Sequence, residues 1–199
     1  WEAELEPDDD DDGHIGGGLA YDDGRVFATT GFAEVIALDA KSGAVLWRKN
    51  LNAPMRAAPA ARGGRVFAVT MNNELSTLNA KTGETIWRHR GLPEIASVLG
   101  SASPAVDKGV VVVPYTSGEL FALKIENGRV LWQDSLITAR RTDVVSSLSG
   151  IRGRPIIDRG RVIAISNAGL LVAIDLRTGR RVWDREVAGI ESPWVAGDY

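Results

Sequence analysis

The side chains able to carry chemistry are few in this sequence, and they stand apart from one another. There are two histidines, His14 and His89, and no cysteine. A thiolate nucleophile, a disulfide and a zinc–thiolate site are therefore excluded within these residues. Neither histidine belongs to a catalytic motif, and His89, two residues past Trp87, reads as an exposed strand-end residue. No Gly-x-Ser-x-Gly elbow presents a serine, and Gly16-Gly17-Gly18 lacks the Lys-Ser/Thr that lets a glycine loop hold phosphate. Asp8 to Asp12 supply consecutive carboxylates, but a calcium loop spaces its ligands and turns on a glycine among them. An unbroken run of aspartates is a solvated segment. No catalytic activity is expected, and no metal.

Charge is distributed unevenly. Residues 1–24 hold ten acids and no Lys or Arg, which leaves 16 acids against 23 bases afterwards, a net +7. The arginines are scattered without interleaved aromatics, so nucleic acid is not an expected partner. The apolar stretches, such as Val110 to Val113, fall far short of the roughly 20 residues that span a bilayer as a helix. Two groups remain as candidates for recognition. One is the apolar run Ile95 to Gly100; the other is the polar cluster Arg140-Arg141-Thr142-Asp143 with Ser146 to Ser149, Arg152 and Arg154.

The elements that must position these groups are set by an internal repeat, which outranks local propensity as a signal of fold. Gly24, Gly64, Gly109 and Gly160 each open a short β-branched or aromatic run, and each is followed 23 residues later by a tryptophan: Trp47, Trp87, Trp132 and Trp183. A second glycine, Gly43, Gly83, Gly128 or Gly179, always precedes that tryptophan by four residues. Between them run matched columns, Ala37, Thr77, Ala122 and Ala173, then Leu38, Leu78, Leu123 and Ile174. Alternation in short runs bounded by turns is the pattern of strands. Asp39-Ala-Lys-Ser-Gly43 and Asn79-Ala-Lys-Thr-Gly83 are hairpin chemistry, the Asx side chain closing the turn and the glycine taking positive φ. Lys124 replaces the Asx in the third unit, so that turn is expected to be the loosest.

Pro59, Pro104 and Pro155 each stand five residues before the first glycine and begin one more short strand, with Leu19 in the equivalent place of the first unit. Four strands in repeats of 40, 45 and 51 residues fit blades of a β-propeller. The expected fold is all-β: four-stranded antiparallel blades at about 19–47, 58–87, 103–132 and 154–183, forming about half of a larger propeller. Trp1 reads as the closing residue of a preceding blade and Pro193-Trp194-Val195 as the start of a following one, so edge strands are expected at 1–4 and 192–199. An indole buries on the order of 150–250 Å² and carries one N–H donor, so the recurrent tryptophans are expected to wedge between adjacent blades. All length variation lies between a tryptophan and the next first glycine, in connections of 16, 21 and 27 residues. In an up-and-down blade these emerge on one face, opposite the glycine hairpins, and that variable face is the expected binding surface.

The units Ala37–Trp47 and Ala173–Trp183 resemble the repeat of the pyrroloquinoline-quinone-type propellers, and the likeness covers essentially the whole chain. Within that superfamily, Gly17–Tyr21, Leu99–Pro104 and Ser147–Pro155 are similar, in order, to segments of the BamB family of outer-membrane assembly lipoproteins. The resemblance implies a periplasmic propeller of eight blades, held at the outer membrane by a lipid on a cysteine upstream of Trp1. It implies a scaffold without cofactor that binds BamA and assists nascent outer-membrane proteins. It also implies contact residues at Ala96, Val98 and Leu99 in one loop and at Gly150 and Arg152 in another, with Leu99 standing where the family has Arg, and Gly150 and Arg152 where it has acids. Two other readings share the blade: part of a quinone-dependent alcohol dehydrogenase, and an extracytoplasmic ligand-sensing propeller.

Overall fold

The computed structural model of the protein describes residues 1–5, 16–93, 101–137 and 150–197. Its strands are β1 (Gly18–Asp22), β2 (Arg25–Thr29), β3 (Glu34–Asp39), β4 (Val45–Asn50), β5 (Ala60–Arg62), β6 (Arg65–Val69), β7 (Glu74–Asn79) and β8 (Thr85–Arg90) in the first half. The second half holds β9 (Ala105–Asp107), β10 (Val110–Pro114), β11 (Glu119–Lys124), β12 (Val130–Ser135), β13 (Ile156–Asp158), β14 (Arg161–Ile165), β15 (Leu171–Asp175) and β16 (Arg181–Arg185). They form four antiparallel sheets of four strands in chain order, the all-β architecture that the repeat predicts. Two compact units result, Trp1–Arg90 with the first and second sheets and Gly91–Tyr199 with the third and fourth.

The register repeats from sheet to sheet. The second strand pairs fully with the third, and the third meets the fourth through one irregularity, at Ala37/Leu38, Thr77/Leu78, Ala122/Leu123 and Ala173/Ile174. Ala37 faces Trp47 across the ladder while Leu38 faces Val45, so Leu46 is skipped. Such a bulge re-aims the side chains beyond it, and here it sets the tryptophan on the face of the small Ala37 column. The skipped residues Leu46, Ile86, Leu131 and Val182 are the ones pushed out, each partly exposed. His89 is half-buried rather than exposed, because two residues beyond Trp87 it shares the tryptophan's face of β8.

Within the first unit the closest approach between sheets is that of the first strands, β1 and β5. Phe27, Val35 and Ala37 of the first sheet meet Val66, Ala68 and Leu78 of the second in one core, with Met55 from the connection fully buried among them. The second unit repeats this plan: β9 approaches β13, and Val112, Leu120 and Ala122 pack on Val162, Val172 and Ile174, sealed by Leu136 and Ile151.

Of the edge strands expected at 1–4 and 192–199, the described residues 1–4 and 192–197 form no ladder. A strand exists only through its pairing, and among the described residues none is offered to these segments. Trp1 nonetheless sits on the first blade's hairpin, its indole N–H donating to the Ala40 carbonyl at 3.1 Å. The third hairpin, expected to be the loosest, keeps the backbone of the others: Gly128 N–H donates to Lys124 O at 2.9 Å, as Gly43 does to Asp39 O and Gly83 to Asn79 O at 2.8 Å. The strand ladder and the left-handed glycine, φ +72°, fix that turn without the side chain.

Candidate partner-binding rim

The frame is held by a contact repeated at each described blade joint. Trp47 Nε1–H donates to Ala80 O at 3.1 Å, and Trp132 Nε1–H to Leu176 O at 2.7 Å. In both cases, as with Trp1 and Ala40, the acceptor lies three residues before the second glycine of the receiving blade. The indole then lies over that glycine. A Cβ on Gly83 would stand 2.8 Å from Trp47 Cε3, one on Gly179 would stand 2.5 Å from Trp132 Cγ, and one on Gly43 would meet the Trp1 ring. The glycine therefore answers two demands, positive φ in its own turn and room for the preceding blade's tryptophan. Trp87 packs at 6.2 Å on Phe67 of its own sheet. Trp183 is half-buried, and among the described residues its indole N–H has no acceptor. Gly128 takes the same φ as the other three.

Held by this frame, the connections after the fourth strands fold onto the turns between second and third strands. In the first unit Leu51 N–H donates to Ala33 O at 2.8 Å, Met55 N–H to Thr30 O at 3.2 Å and Met71 N–H to Pro54 O at 2.9 Å. Thr29 Oγ1–H reaches Ala57 O at 2.7 Å. In the second unit Leu136 N–H donates to Gly118 O at 2.9 Å, and Ser166 Oγ–H to Leu136 O at 3.1 Å. Among the described residues, the irregular side of each unit is thus anchored by backbone bonds, as buried amides and carbonyls require.

The sequence-derived contact residues fall out unevenly on this side. Ala96, Val98 and Leu99 lie outside the described residues, as do Arg140 to Asp143 and Ser146 to Ser149, and so does the aspartate run Asp8 to Asp12. Gly150 is buried: its carbonyl accepts from Asn167 N–H at 3.2 Å, and a Cβ there would stand 3.0 Å from Thr116 O. Gly150 and Ile151 together tie the turn of the third blade to that of the fourth, Ile151 N–H donating to Tyr115 O at 3.4 Å. Ile151 beside it is fully buried. Arg152 is half-exposed and Arg154 exposed, so this segment presents cationic side chains next to a buried glycine. Leu92 and Ile137 are exposed apolar residues just past β8 and β12.

One column of side chains escaped the sequence reading. Glu34, Glu74 and Glu119 each open a third strand and each secures the rim. Glu34 pairs with Arg48 at 3.0 Å; Glu74, largely buried, takes both Arg88 and Arg90; Glu119 Oε2 accepts from Leu92 N–H at 2.7 Å and from Ser117 Oγ at 2.9 Å. In the fourth blade buried Leu170 stands at this place. The signal was available, three residues before the Ala37 column, but an isolated glutamate at a strand end reads as solvated. Among the described residues no group of three or more His, Cys, Asp or Glu side chains gathers as a metal site would need, and no helix is long and apolar enough to cross a membrane.

Comparison with known proteins places this geometry in a family. The family model described as "Outer membrane protein assembly factor BamB" matches residues 1–199. The outer membrane protein assembly factor BamB of Escherichia coli is 37% identical over 185 residues, 92% of this chain and 47% of that one. The crystal structure of BamB from Moraxella catarrhalis superposes with a TM-score of 0.82 at 27% identity, over 88% of this chain and 54% of that one. A europium-containing methanol dehydrogenase matches with a TM-score of 0.71 at 16% identity, covering 90% of this chain and 42% of its own, a likeness of fold alone. The chain spans about half the length of the curated relatives it matches.

Proposed function

Because the chain belongs to the family of the outer membrane protein assembly factor BamB, we propose that it is part of a non-catalytic propeller scaffold that binds BamA and assists the folding and insertion of outer-membrane proteins. On this reading the blades at about 19–47, 58–87, 103–132 and 154–183 belong to an eight-bladed ring, held in the periplasm at the outer membrane by an upstream lipid. The observation that carries it is the division of labour within each unit. Indoles and glycines fix the blade joints, and the length variation goes to one backbone-anchored side, which suits a surface that holds another protein.

The contact is proposed for the loops carrying Ala96, Val98 and Leu99 and carrying Arg152, with Gly150 setting the path of the chain. The family resemblance implies an acid at the place of Arg152, so this chain presents the opposite sign there and its partner face is expected to be correspondingly acidic. The periplasmic domains of BamA, immobilised, should retain the intact propeller, and Arg152→Glu should weaken retention about tenfold or more, the loss expected when an interfacial charge meets its like. No retention of a folded wild-type protein would overturn the proposal.

A further inference from the structure

The glycine hairpins close the side of each unit opposite the connections, and one of them differs from the rest at the atom that matters for binding. In the first, second and fourth hairpins an Asx oxygen fills the turn. Asp39 Oδ1 accepts from Lys41 N–H at 3.1 Å and Ser42 N–H at 2.8 Å; Asn79 Oδ1 accepts from Lys81 N–H at 2.8 Å and Thr82 N–H at 3.3 Å; Asp175 Oδ1 accepts from Thr178 N–H at 2.8 Å. The hydroxyls of Ser42 and Thr178 add bonds of 2.8 and 2.7 Å to their aspartates. These donors, the hydroxyls first and the amides next, hold the carboxyls of Asp39 and Asp175 below the ordinary carboxylate range. The pocket of the turn therefore favours an anion.

The third hairpin has the same backbone and no such oxygen. Lys124 N–H donates to Arg129 O at 2.9 Å, as Asp39 N–H does to Ala44 O and Asp175 N–H to Arg180 O at the same distance. Asn127 Oδ1 accepts from Arg129 N–H at 3.1 Å, the part played by Ser42 and Thr178 in their turns. What remains are the amides of Glu126 and Asn127, aimed where a carboxylate oxygen sits in two sister blades; among the described residues nothing accepts from them. Lys124 pairs with Glu126 at 3.0 Å, both side chains about half exposed, a contact that solvent screens. Exposed Arg129 closes the hairpin, and exposed Lys108 sits in the turn whose Gly109 carbonyl accepts Ile125 N–H at 3.1 Å.

We propose that the Lys124–Gly128 hairpin is a docking point for a carboxylate side chain of an acidic protein segment, received by the amides of Glu126 and Asn127 and held by Lys124 against competition from Glu126. Carboxylate is the favoured anion because that group fills the same donors in the first and fourth hairpins. An extended acidic segment suits the surroundings, since Arg159, Arg177 and Arg180 are exposed on the same side of the fourth blade and provide the field that guides it. This site is separate from the irregular rim and does not depend on BamA binding there.

The test is an amide NMR titration of the intact chain at constant ionic strength, with acetate, a short aspartate-rich peptide and inorganic phosphate as probes. Saturable shifts are expected at Glu126 and Asn127 and not at Ser42 or Thr178, with the peptide binding about tenfold or more tighter than acetate because several charges engage at once. Lys124→Asp, which supplies the missing oxygen from within, should abolish the shifts while leaving the rest of the spectrum in place; Lys124→Asn, the second blade's own solution, should do the same. The proposal is overturned by equal shifts in all four hairpins, by shifts that never saturate or that survive both substitutions, or by phosphate binding as tightly as the peptide.

Discussion

The joint between the first and second blades and the joint between the third and fourth begin from the same parts and are finished differently. Each seats a tryptophan on the next blade's glycine and ties its indole to the carbonyl three residues earlier. At the second joint Trp132 is 7% exposed and its bond is 2.7 Å; at the first, Trp47 is only half-buried and the bond is 3.1 Å. Two residues past Trp132, Asp134 receives Arg181 of the next blade through a two-pronged contact of 2.7 and 2.8 Å, and Arg181 also reaches Ser135 O at 2.8 Å. The matching residues of the first joint are Lys49 and Thr85, and the buried Thr85 hydroxyl has no partner among the described residues. The seat is thus a fixed consequence of register, whereas the latch beside it is a local addition that each joint can have or lack.

Three features, the indole, the latch and the hairpin carboxyl, can be perturbed to sharpen this contrast, the indoles carrying the largest effect. Trp132→Ala should cost about 3–5 kcal/mol in denaturant unfolding, the range for removing a large aromatic from a core, and Trp47→Ala the lower end of it. Equal costs would break the contrast. Next comes the latch. Arg181→Ala should cost about 1–2 kcal/mol through loss of a charge-assisted pair that is only partly shielded from water, and a double-mutant cycle with Asp134→Ala should recover most of it as coupling. Lys49→Ala, its counterpart position, should stay within about 0.5 kcal/mol.

The smallest effect is one of acidity, and it too separates the joints. The hairpin that receives Trp132 is closed by Asp175, whose carboxyl is held below its ordinary value by the Thr178 hydroxyl and amide. The hairpin that receives Trp47 is closed by Asn79, which does not titrate in this range. A carboxyl with a lowered folded pKa contributes its stability above the ordinary value near 3.8 and loses it as pH falls through the lower one. The protection of the Thr178 amide, its exchange rate measured against that of an unstructured amide at the same pH, should therefore fall below about pH 4, while the turn at Thr82 keeps the protection it has at neutral pH.

The fold was legible because its determinants are spacings. The interval of 23 residues from first glycine to tryptophan and the matched columns between are visible without coordinates, and they predict four sheets of four strands. Which atoms the tryptophan would meet was not legible, since the seat combines the indole of one repeat with the glycine and carbonyl of the next, and neither residue type names its partner. Glu34, Glu74 and Glu119 went unread for a related reason: their partners come from the fourth strand or the following connection, and only the folded sheet brings these together. The rim was legible as a place, through its variable length, and much less as a set of residues. Gly150 stands at a position the family resemblance marks for contact, yet in the described structure it is buried, its carbonyl bonded to Asn167 N–H and a Cβ barred by Thr116 O.

Exchange of the indole Nε1 protons, followed residue by residue in the native protein, tests most directly whether each blade is keyed to the next by its tryptophan. The protons of Trp47 and Trp132 should exchange slowly, because each is bonded to a carbonyl of the following blade, and that of Trp194, 89% exposed, should exchange at the rate of a free indole. Trp47 and Trp132 protons that exchanged as fast as that of Trp194 would contradict the account.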